Sequence, residues 1–506
     1  MHPLIQEVSG ACSPEALIHE LGRAPGVMLL RSALFDSHEA RYSYVTARPF
    51  LTFRSFGARC ELLFATEGAR AQFGNPWHLL DSLMARYELL DELDLPFPLG
   101  GCFGYWGYDL KNFVEPKLER NAIDDLELPD CQVGFYDSVV AFDHLLQKNW
   151  IISTGLGMDG SRTEGQARRQ LEFWRSRMQP EEERKSRSEF PSRSVSVSTP
   201  SPLLPQQGFS NFQPHSNFSQ AGFLNAIRRA QRYIQAGDVY QVNLAQRLSV
   251  QCDWSGWDAF QGLAAVSPAP FSAYFDAGEF QIASSSPELF LRLSGSHILT
   301  RPIKGTRPRS PDPTRDAQLT YELQTSPKER AELVMIIDLL RNDLGRVCEY
   351  GSVQVPELAR LERFSQVQHL VSTIEGRLRP DSTHFKALAQ CFPGGSVTGA
   401  PKIRAMEVID ELEPVARGPY TGCLGYLGFN RESQLSILIR TVICKSGWSY
   451  FHAGAGIVAD SQPEAEYEET LAKAAGFLAA LRGRVQGEIH GDRVHVISAD
   501  WNTRRT

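Results

Sequence analysis

Apolar positions recur along this chain in two rhythms, one of period two and one of helical spacing. Val27-Met28-Leu29-Leu30 and Tyr42-Ser43-Tyr44-Val45-Thr46-Ala47 have the short apolar or alternating form of strands. Leu79, Leu80, Leu83, Met84 and Tyr87 share one side of a helix predicted over residues 78–90. Residues 98–109 alternate glycine with aromatics, which predicts a closely packed, glycine-interrupted strand. Residues 134–144 and 150–154 read as further strands of the same antiparallel sheet, and 158–178 as a charged helix. Residues 181–219 then turn to Ser, Pro, Gln and Asn, too polar to bury a core. An amphipathic helix follows over 219–236, with Ser219 as N-cap and Gly237 as its stop. Beyond it lie a period-two strand at 238–246, a turn entering a strand at 267–275, and a strand running into a polar corner at 280–288. Strands and helices keep alternating, so the fold class is α+β.

A chain of 506 residues is long for one domain, and one large or two intimate domains are expected. The polar stretch sets the boundaries: 1–180, a flexible linker at 181–217, a second region at 218–485 and a tail at 486–506. A net charge of −7 removes the electrostatic case for nucleic acid or an anionic membrane surface. The nine cysteines form no Cys-x-x-Cys pair, and no apolar run approaches the ~18–20 residues of a membrane span. The amino terminus carries no basic-then-apolar leader pattern, and a reduced cytoplasmic enzyme is expected.

Chemistry concentrates in a few places. Arg301-Pro302-Ile303-Lys304-Gly305-Thr306-Arg307-Pro308-Arg309 presents one lysine at a rigid turn or strand end. Neighbouring cations disfavour an ammonium, and a neutral amine is a nucleophile; the alternative is a solvated basic loop. Glu329 and Glu332 share one helix face, and Glu466, Glu469 and Lys473 share another. Four inward carboxylates suit a hard divalent cation, although Glu329 after Ser326 and Glu464 after Ser461 also fit capping boxes. Gly394 to Gly399 has phosphate-loop spacing without the Gly-Lys-Ser/Thr ending, yet a helix opening at Pro401 can offer N–H groups to an anion. Arg440 closes an apolar strand as an ion-pair partner or a carboxylate fork. Gly454-Ala455-Gly456 reads as a tight turn or a close backbone approach to a ligand.

Taken in order, these stretches resemble the chorismate-binding family, which includes anthranilate synthase and isochorismate synthase. The resemblance is carried by Ser284-Ser285-Ser286-Pro287-Glu288, Pro302-Ile303-Lys304-Gly305-Thr306, Glu329-Arg330-Ala331-Glu332, the run from Ile337 to Gly345, Val367-Gln368-His369-Leu370, Gly399-Ala400-Pro401-Lys402, Gly454 to Val458, and Glu466-x-x-Glu469-x-x-x-Lys473. It covers roughly residues 218–481; nearer the amino terminus, Leu29-Leu30-Arg31-Ser32-Ala33 resembles a family segment. It implies a two-subdomain α/β fold like that of anthranilate synthase component I, its large, mostly antiparallel sheets packed as a sandwich with helices outside.

The resemblance also implies roles. Glu332 and Glu469 would ligate Mg²⁺, with Glu329 and Glu466 close by. Arg440 and Tyr420 would hold the enolpyruvyl carboxylate of chorismate, and the Gly454–Gly456 backbone would help the metal hold the ring carboxylate. Ser396 stands where the family usually has Thr, keeping the hydroxyl of a substrate contact. His369 would lie against the ring, Lys473 would support the carboxylates, and Glu288 would be the general acid. Members that make 4-amino-4-deoxychorismate, for 4-aminobenzoate and folate, carry Lys at position 304, where anthranilate and isochorismate synthases carry Ala. The lysine would attack C2, and ammonia would then add at C4. The alternatives are a relative acting at C2 and a non-catalytic binding subunit. No glutaminase motif is found, so ammonia would come from solvent or from a separate glutamine amidotransferase subunit. Some relatives bind tryptophan in the amino-terminal sheet, and Ser32, Pro270 and Phe271 lie in the matching segments.

Overall fold

In the computed structural model, which describes residues 2–8, 12–32, 41–66, 68–90, 95–178, 214–252, 254–364, 367–482 and 497–498, the strands gather into two sheets of 13 and 12 strands. Among the described strands the pairing is antiparallel, apart from one short parallel contact between His215–Ser216 and Ile497–Ser498. Most of the predicted linker, 181–213, lies outside the described residues, as does the predicted tail apart from 497–498. The lengths of chain on either side of the linker interleave in both sheets. Met28–Arg31 pairs with Phe271–Asp276 in the first. Gly101–Trp106 pairs with Cys423–Gly428 in the second.

The expectation of one continuous strand over 134–144 is corrected. Cys131–Tyr136 lies in the second sheet and Ser138–Asp143 in the first, with the chain crossing at Asp137. Both strands are buried on both faces, so no inside–outside alternation separates them, and the polar pair Asp137-Ser138 is the one mark of the corner. The helix expected over 158–178 begins only at Glu164, and the one expected over 78–90 spans Pro76–Tyr87, capped by Asn75. The helix after the linker, Gln220–Gln235, is capped by Ser219 as its sequence requires.

The two sheets meet face to face across an aromatic layer. Tyr44 of the first packs edge-on to Tyr426 of the second, with ring centroids 5.3 Å apart, and Tyr105 of the second packs on Phe280, just before the strand Gln281–Ser286 of the first. Helices cover the outer faces. Pro14–Leu21, Glu164–Met178 and Gly256–Val266 bury apolar residues against the first sheet. Pro76–Tyr87, Pro327–Gly345 and His384–Cys391 do so against the second.

Two crossings between the sheets matter for the site. Gln281–Ser286 passes into Leu289–Ser294 through Pro287 and Glu288. Glu432–Ile437 passes back to Thr441–Lys445 through residues 438–440. These two crossings run side by side. The Ser285 amide donates to the Arg440 carbonyl at 3.0 Å and the Ile437 amide to the Glu288 carbonyl at 3.1 Å. Glu288 and Arg440, 152 positions apart, are thereby brought to one rim.

Candidate functional site

Arg440 does not close a strand, as its sequence suggested. It lies in the crossing with a φ of +50°, in the left-handed region that a non-glycine residue rarely occupies. That twist aims the guanidinium into a cavity of about 530 Å³ between the sheets and the helices. Its guanidinium makes a long hydrogen bond, from Nη1 to the Ser267 hydroxyl at 3.4 Å. No carboxylate lies within ion-pair distance of it among the described residues, and burial lowers its proton affinity. A largely buried cation without a protein counter-charge is an anion-binding group.

Glu288 faces the same cavity and is 6 % exposed. Burial pushes its carboxyl up to about 7, against the opposing pull of a hydrogen bond from Ser396 and the charge of Lys304. A carboxylic acid with a midpoint there can hold a proton at neutral pH and release it in a reaction.

Lys304 sits in the strand Ile303–Pro308, which pairs with Val367–Arg377 through a bulge between Lys304 and Thr306. Gly305 makes the bulge possible, with φ +75° and no room for a side chain: a Cβ would stand 2.8 Å from Leu323 and 3.1 Å from Glu329 Oε2. The bulge turns Lys304 to the cavity. The expectation that neighbouring arginines crowd this lysine with positive charge is corrected. Arg301 pairs with Glu362 at 2.5 Å, Arg307 with Glu329 at 3.2 Å and Arg309 with Asp316 at 2.9 Å. Their charges are met by carboxylates, and the charged groups acting across the cavity with Lys304 are Glu288 and Glu332. The partner strand contributes His369, whose Nδ1 is 2.8 Å from the Thr306 hydroxyl. Burial, with Arg440 nearby, pushes this imidazole down to about 4, so it is neutral.

The helices Pro327–Gly345 and Pro463–Arg482 supply the four glutamates, all of which line the cavity. Ser326 caps the first helix by accepting from the Glu329 amide at 3.3 Å. The capping box expected at the second does not form in that way. Glu464 pairs with Arg228 at 3.0 Å, and the Ser461 hydroxyl donates instead to Glu466 at 2.7 Å. Burial raises the proton affinity of Glu332 against the pull of Lys304 and Lys328. It also raises that of Glu466, where Glu469 adds like charge. Lys473 bridges Glu469 at 2.8 Å and the Gly454 carbonyl at 2.7 Å.

Gly454 and Gly456 are not in a turn; they lie inside the strand Trp448–Ile457. Their function there is clearance. A Cβ on Gly454 would stand 2.8 Å from Tyr420 Oη, and one on Gly456 would stand 2.6 Å from Gln241 Nε2. The ring of Tyr420 stacks on His452, with centroids 4.9 Å apart. Ser396 reaches the cavity from the short turn Gly395–Val397. The helix after that turn does not: Lys402 is buried in an ion pair with Asp343 at 2.7 Å and donates to the Cys391 carbonyl at 2.9 Å. No residue of that helix start is on the cavity wall.

Glu288, Lys304, Glu329, Glu332, His369, Ser396, Tyr420, Arg440, Gly454, Gly456, Glu466, Glu469 and Lys473 thus share one cavity. Sequence reasoning passed over Asn243, Lys328 and His452, which also line it. Asn243 alone left a signal, as the polar member of a period-two strand. Ser32, Pro270 and Phe271 come together elsewhere, around a void of about 30 Å³. Its described walls leave space for about one water molecule.

The architecture and the cavity define an anion-binding enzyme of two packed antiparallel sheets, with a buried acid, an amine and a carboxylate cluster around one ligand space. The chain belongs to the chorismate binding enzyme family, whose model matches residues 31–479. It is 40% identical over 467 residues to anthranilate synthase component 1 of Thermus thermophilus, covering 91% of this chain and 93% of the relative. It is 39% identical over 473 residues to aminodeoxychorismate synthase component 1 of Escherichia coli, covering 92% and 96%. The crystal structure of anthranilate synthase component I from Streptococcus pneumoniae superposes with a TM-score of 0.72 at 30% identity, over 87% of this chain and 93% of that one. Within the family the chain falls in the group that contains these two kinds of component 1. Among the described residues, no helix is long and apolar enough to cross a membrane.

Proposed function

We propose that the protein is component 1 of an aminodeoxychorismate synthase, converting chorismate and ammonia to 4-amino-4-deoxychorismate. Relatives of both activities match at nearly equal identity, so overall similarity does not choose between them. The observation that carries the reading is Lys304, an amine on the cavity wall within electrostatic reach of the buried acid Glu288.

The chemistry runs as two displacements. Chorismate is a dianion; Arg440 and Tyr420 take its enolpyruvyl carboxylate, and the ring lies along neutral His369. The amine of Lys304 bonds to C2, the ring double bond shifts, and the C4 hydroxyl leaves as water with the proton of Glu288. Ammonia then bonds to C4, the double bond shifts back, and the C2–nitrogen bond breaks to free Lys304. The carboxylate of Glu288 takes up the proton that the new ammonium sheds. Each displacement moves the reacting position, so nitrogen ends on C4. Without a side-chain amine, ammonia would enter at C2, as in an anthranilate-type reaction.

The four glutamates supply hard oxygen donors from two helices, a set that fits Mg²⁺. Among the described residues no group of three or more His, Cys, Asp or Glu side chains is drawn close enough to hold an ion by itself. Mg²⁺ does not require one, since it takes one or two carboxylates and keeps water or substrate oxygens. Glu332 and Glu469 would hold it, with Glu329 and Glu466 on the same cavity wall. When bound, it supplies positive charge to the ring carboxylate. Lys473 ties Glu469 to the Gly454 carbonyl and so fixes that side of the site.

The ammonia source would be solvent or a separate glutamine amidotransferase subunit, a reading supported by the component 1 names of the relatives. Purified protein with ammonium salts is expected to consume chorismate when Mg²⁺ is present and to stop when it is chelated. A folded protein that leaves chorismate untouched under these conditions would point to a non-catalytic binding subunit instead.

A further inference from the structure

Arg417 is 2 % exposed and lies behind the cavity wall rather than on it. A guanidinium carries five N–H donors, and here all five are used inside the protein. Nε and one Nη2 hydrogen fork onto the Glu413 carboxylate, at 2.9 and 2.6 Å. The other Nη2 hydrogen goes to the Asn243 carbonyl at 2.7 Å. Nη1 donates to the Val397 carbonyl and the Thr421 hydroxyl, both at 3.2 Å. Glu413 is buried too, and its Oε1 also accepts from the Ala245 amide at 2.9 Å. The charge and donors of Arg417 are therefore satisfied without a ligand, the opposite of Arg440.

These contacts converge on Tyr420, which does line the cavity. The guanidinium carbon of Arg417 lies 5.6 Å from the centre of the Tyr420 ring, within cation–π range. The Tyr420 amide donates to the Arg417 carbonyl at 3.1 Å. The Thr421 hydroxyl, itself held by Arg417, donates to the Tyr420 carbonyl at 2.6 Å. Thr421 has a φ of +60°, a left-handed backbone that a β-branched residue keeps only where its surroundings enforce it. Ring, amide and carbonyl of Tyr420 are each tied to Arg417 or to a group that Arg417 holds. His452 stacks on the same ring, and the Tyr420 hydroxyl is left over Gly454, where a Cβ would stand 2.8 Å from it.

We propose that Arg417 is a positioning residue that acts through Tyr420, fixing the phenol so that its hydroxyl meets a substrate carboxylate, while touching no substrate itself. The proposal rests on the reading of Tyr420 as a carboxylate grip. A donor already held in place needs no ordering when the anion arrives, so its hydrogen bond contributes fully to binding. A lysine at 417 would keep the charge but could not serve five acceptors in a planar fork.

The test is a double-mutant cycle on kcat/KM for chorismate, at saturating ammonium and Mg²⁺, in wild type, Tyr420→Phe, Arg417→Lys and the double variant. Tyr420→Phe is expected to lower kcat/KM about tenfold through KM, the loss of one hydrogen bond to a charged group. Arg417→Lys is expected to lower it about tenfold as well, again through KM. The double variant is expected to stay within about threefold of Tyr420→Phe, because the hydroxyl that Arg417 places is already gone. A double variant about a hundredfold down, the product of the two single effects, would overturn the proposal. An Arg417→Lys protein that melts earlier with kcat/KM unchanged would overturn it too, leaving Arg417 to hold the fold alone. Should Arg417→Lys not fold, Thr421→Val takes its place in the same cycle, since it removes one acceptor of Arg417 and the bond to the Tyr420 carbonyl; its single effect is expected to be about threefold. Unchanged kcat/KM in Tyr420→Phe would instead refute the carboxylate grip, and the proposal with it.

Discussion

Lys304→Ala is expected to reduce formation of 4-amino-4-deoxychorismate at least about 10³-fold, in line with removing the nucleophile of a covalent mechanism. The affinity for chorismate is expected to stay within about tenfold, because the anion is gripped elsewhere. Lys304 lies in a strand bulge that Gly305 makes possible. The backbone is unchanged by truncating the lysine beyond Cβ, so the cavity wall persists. The variant loses the bond to C2 and with it the first displacement. Equilibrium binding of chorismate, measured beside turnover, separates the two roles. Unchanged turnover would remove the covalent role, and lost binding with lost turnover would make Lys304 an anion grip.

Arg440→Gln is expected to lower kcat/KM for chorismate about 10³-fold, mostly through KM. Removing one partner of a desolvated charge pair typically costs about 2–5 kcal/mol. Arg440 has no carboxylate partner among the described residues, so the ligand would provide its counter-charge. The same feature predicts the stability effect. A largely buried cation without a counter-charge costs folding energy, and replacing it with a neutral amide should leave the protein as stable or more so. A variant that melts earlier while keeping its KM would make Arg440 a structural residue.

The helix-borne part of the site was legible because helical geometry is local. Glu329 and Glu332, or Glu466 and Glu469, share a face by spacing alone, and the structure places all four on one cavity. The pairing of Glu288 with Arg440 was not legible from spacing. It arises from two neighbouring crossings between sheets, set by a register over 150 residues away, which no periodicity records. Of the two readings of the glycines at 454 and 456, the turn failed for a related reason, while both do line the cavity. A glycine needed for clearance inside a strand looks the same in sequence as one needed for a turn. The cation cluster around Lys304 misled because each arginine found its carboxylate in another element. Interleaving of the two lengths of chain was not read either, since the strands on both sides of Asp137 are buried on both faces and the single polar pair Asp137-Ser138 between them looks like part of one strand.

The central claim is that a side-chain amine sends nitrogen to the fourth ring carbon. The most direct measurement is the structure of the product formed from chorismate and ¹⁵N-ammonium with Mg²⁺, separated by liquid chromatography and assigned by nuclear magnetic resonance. Nitrogen on C4, with the enolpyruvyl group retained, is the predicted result. Nitrogen on C2, or a product that has become anthranilate, would contradict it.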